Sequence, residues 1–261
     1  QGHDPVNPDY FPLNESAFAR SMKRLYWPSL WFNARLNDAH NLPEGAALLA
    51  GNHGPLGLDA PLLMHMLYRQ EGRAARGLLD RILVSNLMGR FIADQVGCML
   101  GDRKVATAAL QAGDIVVTYP GGVPETTRAS ADAYQLRWEH KYGFIHCALK
   151  AQVPVVPVAC VGIDDVYFQL LEQKEMLALP WGRNVGKMVG ERYVTPWYVG
   201  PLPAQLNYWI GAPIDLGYGP EDAHNPEVLE RCQLRVKRAL QERIEHGLAV
   251  RELEAPEQWR E

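Results

Sequence analysis

The sequence predicts an α/β fold: a single domain with a mixed, partly parallel central sheet flanked by helices, preceded by an amphipathic helical segment. Two observations predict it. Short apolar runs typical of buried strands alternate along the chain with stretches whose apolar residues recur at helical spacing. The chain has 261 residues, of which 47% are hydrophobic and 21% charged, so it is long enough to bury one large core.

The chain opens with a segment, residues 1–40, in which aromatic and basic side chains lie together. Asn14 or Ser16 is a suitable N-cap, and apolar residues then recur at helical spacing until Pro28, which we expect to end or kink the helix. Residues 27–32 crowd two tryptophans, a leucine and a phenylalanine. Rings and cations together suit a membrane interface. An amphipathic helix packed on its own domain is the other interpretation.

The main domain is expected to span residues 41–250, over which strands and helices alternate. In chain order the pattern predicts a strand at 46–52, a helix at 60–70, a strand at 72–80, a helix at 82–96, a strand at 97–101, a helix at 104–113, a strand at 114–122, a helix at 138–150, a strand at 153–162, an insertion with surface loops at 163–200, a late strand in 206–216, a closing amphipathic helix at 226–246 and a polar tail at 251–261. Such sheets gather their chemistry in the loops beyond the carboxyl ends of the strands.

Charge and cysteine content exclude several classes of protein. The net charge of −4 gives no overall field that would attract nucleic acid, and we expect no nucleic-acid partner. The four cysteines are widely spaced, with no CxxC pair, which indicates reduced, buried thiols. No apolar stretch reaches the roughly 20 residues that a membrane span needs, and no signal peptide is visible.

The stretch GNHGPLGLDAPLL, residues 51–63, places a histidine and an aspartate where a strand ends and a helix begins. A carboxylate a few residues after His53 can hold one ring nitrogen while the other takes a proton. Glycines and a proline allow the tight backbone that this requires. The alternative is that His53 is a turn residue and Asp59 a helix cap, and Asp59 could play both parts.

A second stretch, YPGGVPETTR at 119–128, follows the clearest strand of the chain. Gly121 and Gly122 let the backbone approach a ligand and can aim N–H groups at an anion or a carbonyl oxygen. Glu125 and Arg128 supply polar contacts just after that turn. Taken alone, the stretch is also explained by an ordinary strand-ending turn with solvated charges.

Together these stretches resemble the four motifs of the glycerolipid acyltransferases, the lysophospholipid acyltransferase superfamily. The four motifs occur in the family's order and rough spacing, as His53 with Asp59, "GDR" at 101–103, "YPGGVPE" at 119–125 and "VPVVPV" at 153–158. The resemblance runs over roughly residues 46–245. The glycine pair with a later glutamate is closer to the diacylglycerol acyltransferase 2 and plant phytyl ester synthase branches than to the phosphatidate-forming branch.

The chain departs from the family pattern in two places. Five residues separate His53 from Asp59 where four are usual, so one residue must bulge, and we expect the bulge at Pro55–Gly57. No glutamate directly follows Pro120. A site for a phosphate-bearing acceptor would therefore differ from the usual phosphatidate-forming one.

The resemblance implies direct acyl transfer from a thioester, acyl-CoA or an acyl-carrier protein, to a hydroxyl of a lipid acceptor. His53 would take the acceptor's proton and Asp59 would orient His53. Backbone N–H groups near Gly121 and Gly122 would stabilise the developing oxyanion. Arg103 would contact an acceptor phosphate or the pantetheine end of the donor. The expected substrate-binding set is Arg103, Gly121, Gly122, Glu125 and Arg128.

The same resemblance implies no covalent acyl-enzyme, no metal and no resident cofactor, since the thioester is a co-substrate. The expected partners are the lipid acceptor, the acyl thioester, a membrane surface and, for a carrier-bound donor, the acyl-carrier protein. We expect a cytoplasmic protein at the membrane periphery. Two other functions stay open: a lipid esterase or phospholipase that uses the same base to activate water, and a non-catalytic lipid-binding protein that has kept the fold.

Overall fold

The computed structural model describes residues 12–80, 93 and 95–254. The strands are β1 (Arg35–Asn37), β2 (Ala47–Gly51), β3 (Ala75–Leu79), β4 (Met99–Leu100), β5 (Ile115–Thr118), β6 (Val155–Val161), β7 (Phe168–Leu171), β8 (Trp197–Val199) and β9 (Asn207–Ile210). The helices are α1 (Glu15–Arg24), α2 (Tyr26–Trp31), α3 (Asp59–Glu71), α4 (Arg103–Gln111), α5 (Val123–Thr126), α6 (Gly143–Ala151), α7 (Gln173–Ala178), α8 (Pro180–Val189) and α9 (Pro226–Glu254).

Within those ranges, the main sheet has seven strands in the order β1-β9-β6-β2-β5-β3-β4. The run from β6 to β4 is parallel throughout. Strand β9 pairs antiparallel with β6, and β1 pairs parallel with β9. The predicted mixed, partly parallel sheet flanked by helices is confirmed.

Helices cover both faces of this sheet, as a parallel sheet requires. Side chains of β2 alternate between the two sides: Leu48 and Ala50 belong to one core, whereas Ala47 and Leu49 belong to the other. The first core is closed by α4, α6 and α9, and the second by α1 and α3. All five residues of β2 are buried, which places the loop that follows β2 at the middle of the sheet edge.

Most predicted elements are confirmed, the strands with shorter ends than predicted, but four predictions need correction. The helix predicted at 138–150 begins only at Gly143, and the polar tail predicted from 251 is still helical as far as Glu254. The segment 163–200 is not a set of surface loops, since it contains β7, α7, α8 and β8. Pro28 does not end a helix: the break falls at Leu25, and Pro28 lies in the first turn of α2, where a missing N–H costs no hydrogen bond. The helix predicted at 82–96 lies almost entirely outside the described residues.

The N-terminal segment divides into two helices with different surroundings. Helix α1 is capped by Asn14, whose side chain accepts from the Ala17 N–H at 3.2 Å, and Phe18 and Met22 are each 1% exposed. Helix α1 thus packs on its own domain. In contrast, α2 leaves Trp27 75% exposed and Trp31 55% exposed. None of the described helices is long and apolar enough to cross a membrane.

A buried histidine joins α1 to α3. His65 is 3% exposed, and its Nδ1 lies 2.7 Å from the carbonyl oxygen of Met22. Its Nε2 has no hydrogen-bond partner among the described residues. Burial lowers the pKa of His65, with a smaller contribution from Arg69, while the bond to Met22 acts in the opposite direction. The ring is therefore held neutral, as a donor to the end of α1.

We expect this histidine to make the fold sensitive to acid. The unfolded chain binds a proton on His65 near pH 6.5, whereas the folded chain binds it only at lower pH, so the free energy of unfolding should fall as the pH falls below about 6.5. His65→Asn keeps a donor for Met22 and removes the titration, so its thermal midpoint should change less between pH 7.5 and 5.5 than that of the wild type. His40, which is exposed, supplies the matched control, His40→Asn. Equal pH dependence in wild type and His65→Asn would contradict this account.

Candidate active site

Three neighbouring parallel strands end at one edge of the sheet, and the loops that follow them carry three of the polar side chains predicted from the sequence and one that was not predicted, Asp164. The loop after β2 carries His53, the loop after β5 carries Glu125 and Arg128, and the loop after β6 carries Asp164. Carboxyl ends of adjacent parallel strands are the usual location of a site in α/β proteins.

His53 and Asp59 form a hydrogen-bonded pair. His53 Nδ1 lies 2.9 Å from Oδ2 and 3.1 Å from Oδ1 of Asp59. The Asp59 carboxylate is fully buried and also accepts from the Gly54 N–H at 3.3 Å. The hydroxyl of Tyr208 donates to the main-chain carbonyl of Asp59 at 2.9 Å, which fixes the first residue of α3. The Asp59 side chain does not cap α3, so the helix-cap interpretation is wrong.

The extra residue between His53 and Asp59 is absorbed where it was expected, in a single 3₁₀ turn at Pro55–Gly57. Leu56 and Gly57 there have φ angles of 57° and 72°, outside the range of a right-handed helix. Gly57 lies against the imidazole: a Cβ on it would come within 3.1 Å of His53 Cε1 and 3.5 Å of Nε2. A glycine at this position keeps Nε2 approachable, and the His53 side chain is 17% exposed.

Tyr119 supports the ring of His53 from one side. The two rings are stacked, with centroids 4.2 Å apart and planes inclined by 15°. Burial, with a contribution from nearby Asp59, raises the pKa of Tyr119 well above its usual value, so its hydroxyl stays protonated. The sequence analysis missed this residue, although an aromatic side chain directly after a strand that ends beside the histidine was a usable signal.

Glu125 is fully buried and ties two of the loops together. One carboxylate oxygen accepts from the His53 main-chain N–H at 2.9 Å, and the other accepts from the Arg137 N–H at 2.8 Å. Burial raises the pKa of Glu125, and these two bonds partly offset the effect. Gly121 makes room for the side chain, because a Cβ there would lie 1.9 Å from Glu125 Cδ.

Arg128 ties the third loop to the same assembly. Its Nη1 donates to the carbonyl oxygens of His53 at 2.8 Å and Glu125 at 3.2 Å, while Nη2 forms an ion pair with Asp164. The Arg128 side chain is 1% exposed. Both Glu125 and Arg128 therefore position the loop of His53, and the substrate contact predicted for them stays a prediction.

In the glycine turn, one of the two glycine N–H groups is hydrogen-bonded within the turn and the other is without a partner among the described residues. The Gly122 N–H donates to the carbonyl of Tyr119 at 2.9 Å, inside the turn. The Gly121 N–H makes no hydrogen bond to the described part of the chain, and its carbonyl accepts from Lys141 Nζ at 3.2 Å. Lys141 was not recognised from the sequence.

Arg103 makes no hydrogen bond to Glu125 or Arg128 within the described part of the chain. It is the exposed first residue of α4, and the Asp102 side chain caps that helix by accepting from the Lys104 N–H at 2.8 Å. Its side chain lies beside α6, 3.9 Å from where a Cβ on Gly143 would be. Of the residues predicted to bind substrate, Arg103 is the one whose side chain is exposed.

We expect Glu125→Gln to disturb the position of His53. An amide has one acceptor oxygen, so either the His53 N–H or the Arg137 N–H would face an NH₂ group in a buried site, at a cost of about 1–3 kcal/mol. The thermal midpoint should fall and turnover should fall with it. Glu139→Gln is the matched control, since the Glu139 side chain is 69% exposed. A Glu125→Gln protein with unchanged midpoint and unchanged turnover would refute the positioning role.

Comparison with known proteins gives a consistent result. Residues 33–161 match the family model for the acyltransferases. The chain is 28% identical over 189 residues to the mouse "DGAT1/2-independent enzyme synthesizing storage lipids", covering 71% of this chain and 54% of that protein, so it spans about half the relative's length. It is also 28% identical over 256 residues to an uncharacterized protein of Mycobacterium tuberculosis, covering 92% of this chain and 68% of that one.

A solved structure shares the fold. The 1-acyl-sn-glycerophosphate acyltransferase of Thermotoga maritima aligns with a TM-score of 0.50 and 16% sequence identity, over 87% of this chain and 80% of that one. The matched region 33–161 contains the loop of His53 and Asp59 and the loop of Glu125, and it ends at the last residue of β6. Residues 33–161 of the chain thus match the acyltransferase family, and the relatives and the shared fold support the glycerolipid acyltransferase superfamily.

Proposed function

We propose that the protein transfers a fatty acyl group from a thioester to a hydroxyl of a lipid acceptor, with His53 as the general base. The observation that carries the proposal is the 2.9 Å contact between His53 Nδ1 and the fully buried carboxylate of Asp59. The match of residues 33–161 to the acyltransferase family supports acyl transfer. The storage-lipid synthesis named for the mouse relative supports a lipid acceptor.

The path proposed for the proton follows from the geometry of the His53–Asp59 pair. A neutral imidazole that donates Nδ1–H to Asp59 carries its lone pair on Nε2, beside Gly57. Nε2 takes the proton of the acceptor hydroxyl as that oxygen attacks. The imidazolium that forms is stabilised by the Asp59 carboxylate.

The acyl step then balances without a further reagent. The acceptor oxygen forms a bond to the thioester carbonyl carbon, and a tetrahedral oxyanion develops. The Gly121 N–H is the proposed donor to that oxyanion, in place of the two glycine N–H groups expected from the sequence. The C–S bond breaks, the leaving sulfur takes the proton from His53, and the products are an ester and a thiol.

No acyl-enzyme enters this scheme. Burial raises the pKa of each of the four cysteines, so their thiols stay protonated and weakly nucleophilic, at Cys98, Cys147, Cys160 and Cys232. Arg103 is the proposed contact for a phosphate of the acceptor or for the pantetheine arm, which acyl-CoA and acyl-carrier protein have in common.

We expect His53→Ala to lower acyl transfer by about 10²–10⁴-fold, the usual scale of general-base catalysis, while thioester binding survives. Asp59→Asn should also lower turnover strongly, since an amide cannot stabilise the imidazolium and disturbs the tautomer. The exposed residues His40 and Asp215 give matched controls, His40→Ala and Asp215→Asn. Turnover is measured with labelled thioester and folding by thermal midpoint.

Two results would contradict the proposed role of the pair. One is wild-type turnover in a folded His53→Ala protein. The other is a loss of stability in both variants while the remaining folded fraction stays fully active, which would make the pair structural.

We also propose that α2 contacts a lipid surface, because the rings of Tyr26, Trp27 and Trp31 are exposed on it. Substitution is the appropriate test, since removing residues 1–36 would also remove Phe18 and Met22 from the core and shorten β1. Trp27→Ser with Trp31→Ser should weaken binding to phosphatidylcholine vesicles by at least about tenfold at an unchanged thermal midpoint. Equal vesicle binding by this variant and the wild type would rule out the contact.

A further inference from the structure

Strands β7 and β8 form a two-stranded ribbon with an inverted pattern of side chains. The register pairs Phe168 with Val199 and Leu171 with Trp197. The outward face is apolar, with Phe168 60%, Leu170 49%, Trp197 53% and Val199 46% exposed. An antiparallel ribbon that packs on a domain normally turns polar residues to water. Four large apolar side chains in a row on the outside therefore need a partner.

Two polar side chains on the inward face of the ribbon, Gln169 and Tyr198, are hydrogen-bonded to the segment that follows Glu125. The hydroxyl of Tyr198 donates to the Thr126 carbonyl at 3.4 Å. The side-chain oxygen of Gln169 accepts from the Ser130 N–H at 2.8 Å and from the Ser130 hydroxyl at 2.9 Å. The ribbon thus lies over residues 126–130, next to Glu125.

Helix α8, which lies between the two strands in sequence, is inverted in the same way. Gly182 and Gly186 face inward. A Cβ on Gly182 would lie 1.9 Å from the Met176 carbonyl oxygen, so only glycine fits at position 182. The outward side carries three apolar side chains: Trp181 at 52%, Val185 at 37% and Met188 at 79% exposure. The charged residues of α8 are Arg183 and Lys187, both exposed, and the helix contains no acidic residue.

The ribbon also adjoins the exposed surface of α2. A cavity of about 720 Å³ is lined by five residues of 27–32 and by Pro201, which follows β8 by two residues. Leu202 is 40% exposed beside it. Pro201 therefore places the chain that leaves β8 against the exposed surface of α2.

We infer that the outward faces of the ribbon and of α8 form a second bilayer-contact surface, which sets the loop of His53 against the lipid. A bilayer fits better than a second protein copy for two reasons. Tryptophan rings beside cations match the headgroup region, and a helix with two cations and no acid on a chain of net charge −4 is complementary to anionic lipid. The inference rests on the proposed function only in taking the acceptor to be a lipid.

The test is sedimentation of the full chain with phosphatidylcholine vesicles, with and without 30% phosphatidylglycerol. Phe168→Ser with Trp197→Ser, and separately Trp181→Ser with Met188→Ser, should each weaken binding by at least about tenfold. Arg183→Gln with Lys187→Gln should remove most of the gain from phosphatidylglycerol, about fivefold for each cation. The matched control is Leu234→Ser, a 52% exposed leucine on α9.

A second measurement covers the case in which a serine variant fails to fold. Trp181→Phe and Trp197→Phe keep the apolar surface, and each should reduce the quenching of tryptophan fluorescence by brominated phosphatidylcholine. Unchanged vesicle binding by the serine variants, or unchanged quenching by the phenylalanine variants, would overturn the inference. So would a wild-type dimer that the serine variants convert to monomer without loss of vesicle binding.

Vesicle binding is measured without turnover, so this outcome is independent of the proposed chemistry. With a short-chain, water-soluble thioester and alcohol, the ribbon variants should keep wild-type rates if the proposed function is right. If the serine variants lose vesicle binding but the wild type turns over no substrate, the surface is supported and the proposed function is rejected. If the wild type shows turnover but does not bind vesicles, the proposed function is supported and the surface is rejected.

Discussion

The buried carboxylate of Glu125 is the interaction on which the site depends. A carboxylate without exposure to water is costly to bury unless N–H groups solvate it. Here the His53 N–H and the Arg137 N–H do so, and Arg128 adds bonds to the backbone carbonyls of His53 and Glu125. Because Arg128 also pairs with Asp164, the loops after β5, β2 and β6 form one connected unit. His53 is thus fixed through its own backbone, which is the preorganisation that the proposed proton transfer would require.

The sequence predicted the contact in this site that joins residues close together in the chain. His53 and Asp59 are six residues apart, so a strand end, a tight turn and a helix start were enough to bring them together. The bond between Glu125 and the His53 N–H was not predicted, because it joins residues 72 apart in the chain, and a spacing pattern carries no information about such a contact. Strand β1 was included in the N-terminal amphipathic segment and not predicted as a strand for a related reason: three residues show no period, and pairing with β9 decides their structure.

The segment 163–200, which has the least periodicity in the sequence, departs most from its prediction. In helix α8 and the β7–β8 ribbon, most of the apolar residues face outward. A prediction that assigns apolar residues to the core therefore fails for these elements. The outward apolar surface of these elements also bears on the proposed activity. A base that serves a lipid hydroxyl must meet a substrate that does not leave the bilayer. Pro201 places the chain that leaves β8 against the exposed surface of α2, and two side chains on the inward face of the ribbon are hydrogen-bonded to the segment that follows Glu125.

The central claim is that a hydroxyl, activated by His53, attacks the thioester directly. The most direct measurement mixes the protein with a labelled acyl thioester and a set of lipid alcohols. It then compares, by mass spectrometry, the thiol released, the ester formed, the free fatty acid and the mass of the intact protein. Direct transfer predicts ester equal to released thiol for at least one acceptor, with no acyl-protein at any time. Release of thiol with free fatty acid in place of ester would identify a hydrolase, and a protein mass increased by one acyl group would contradict direct attack.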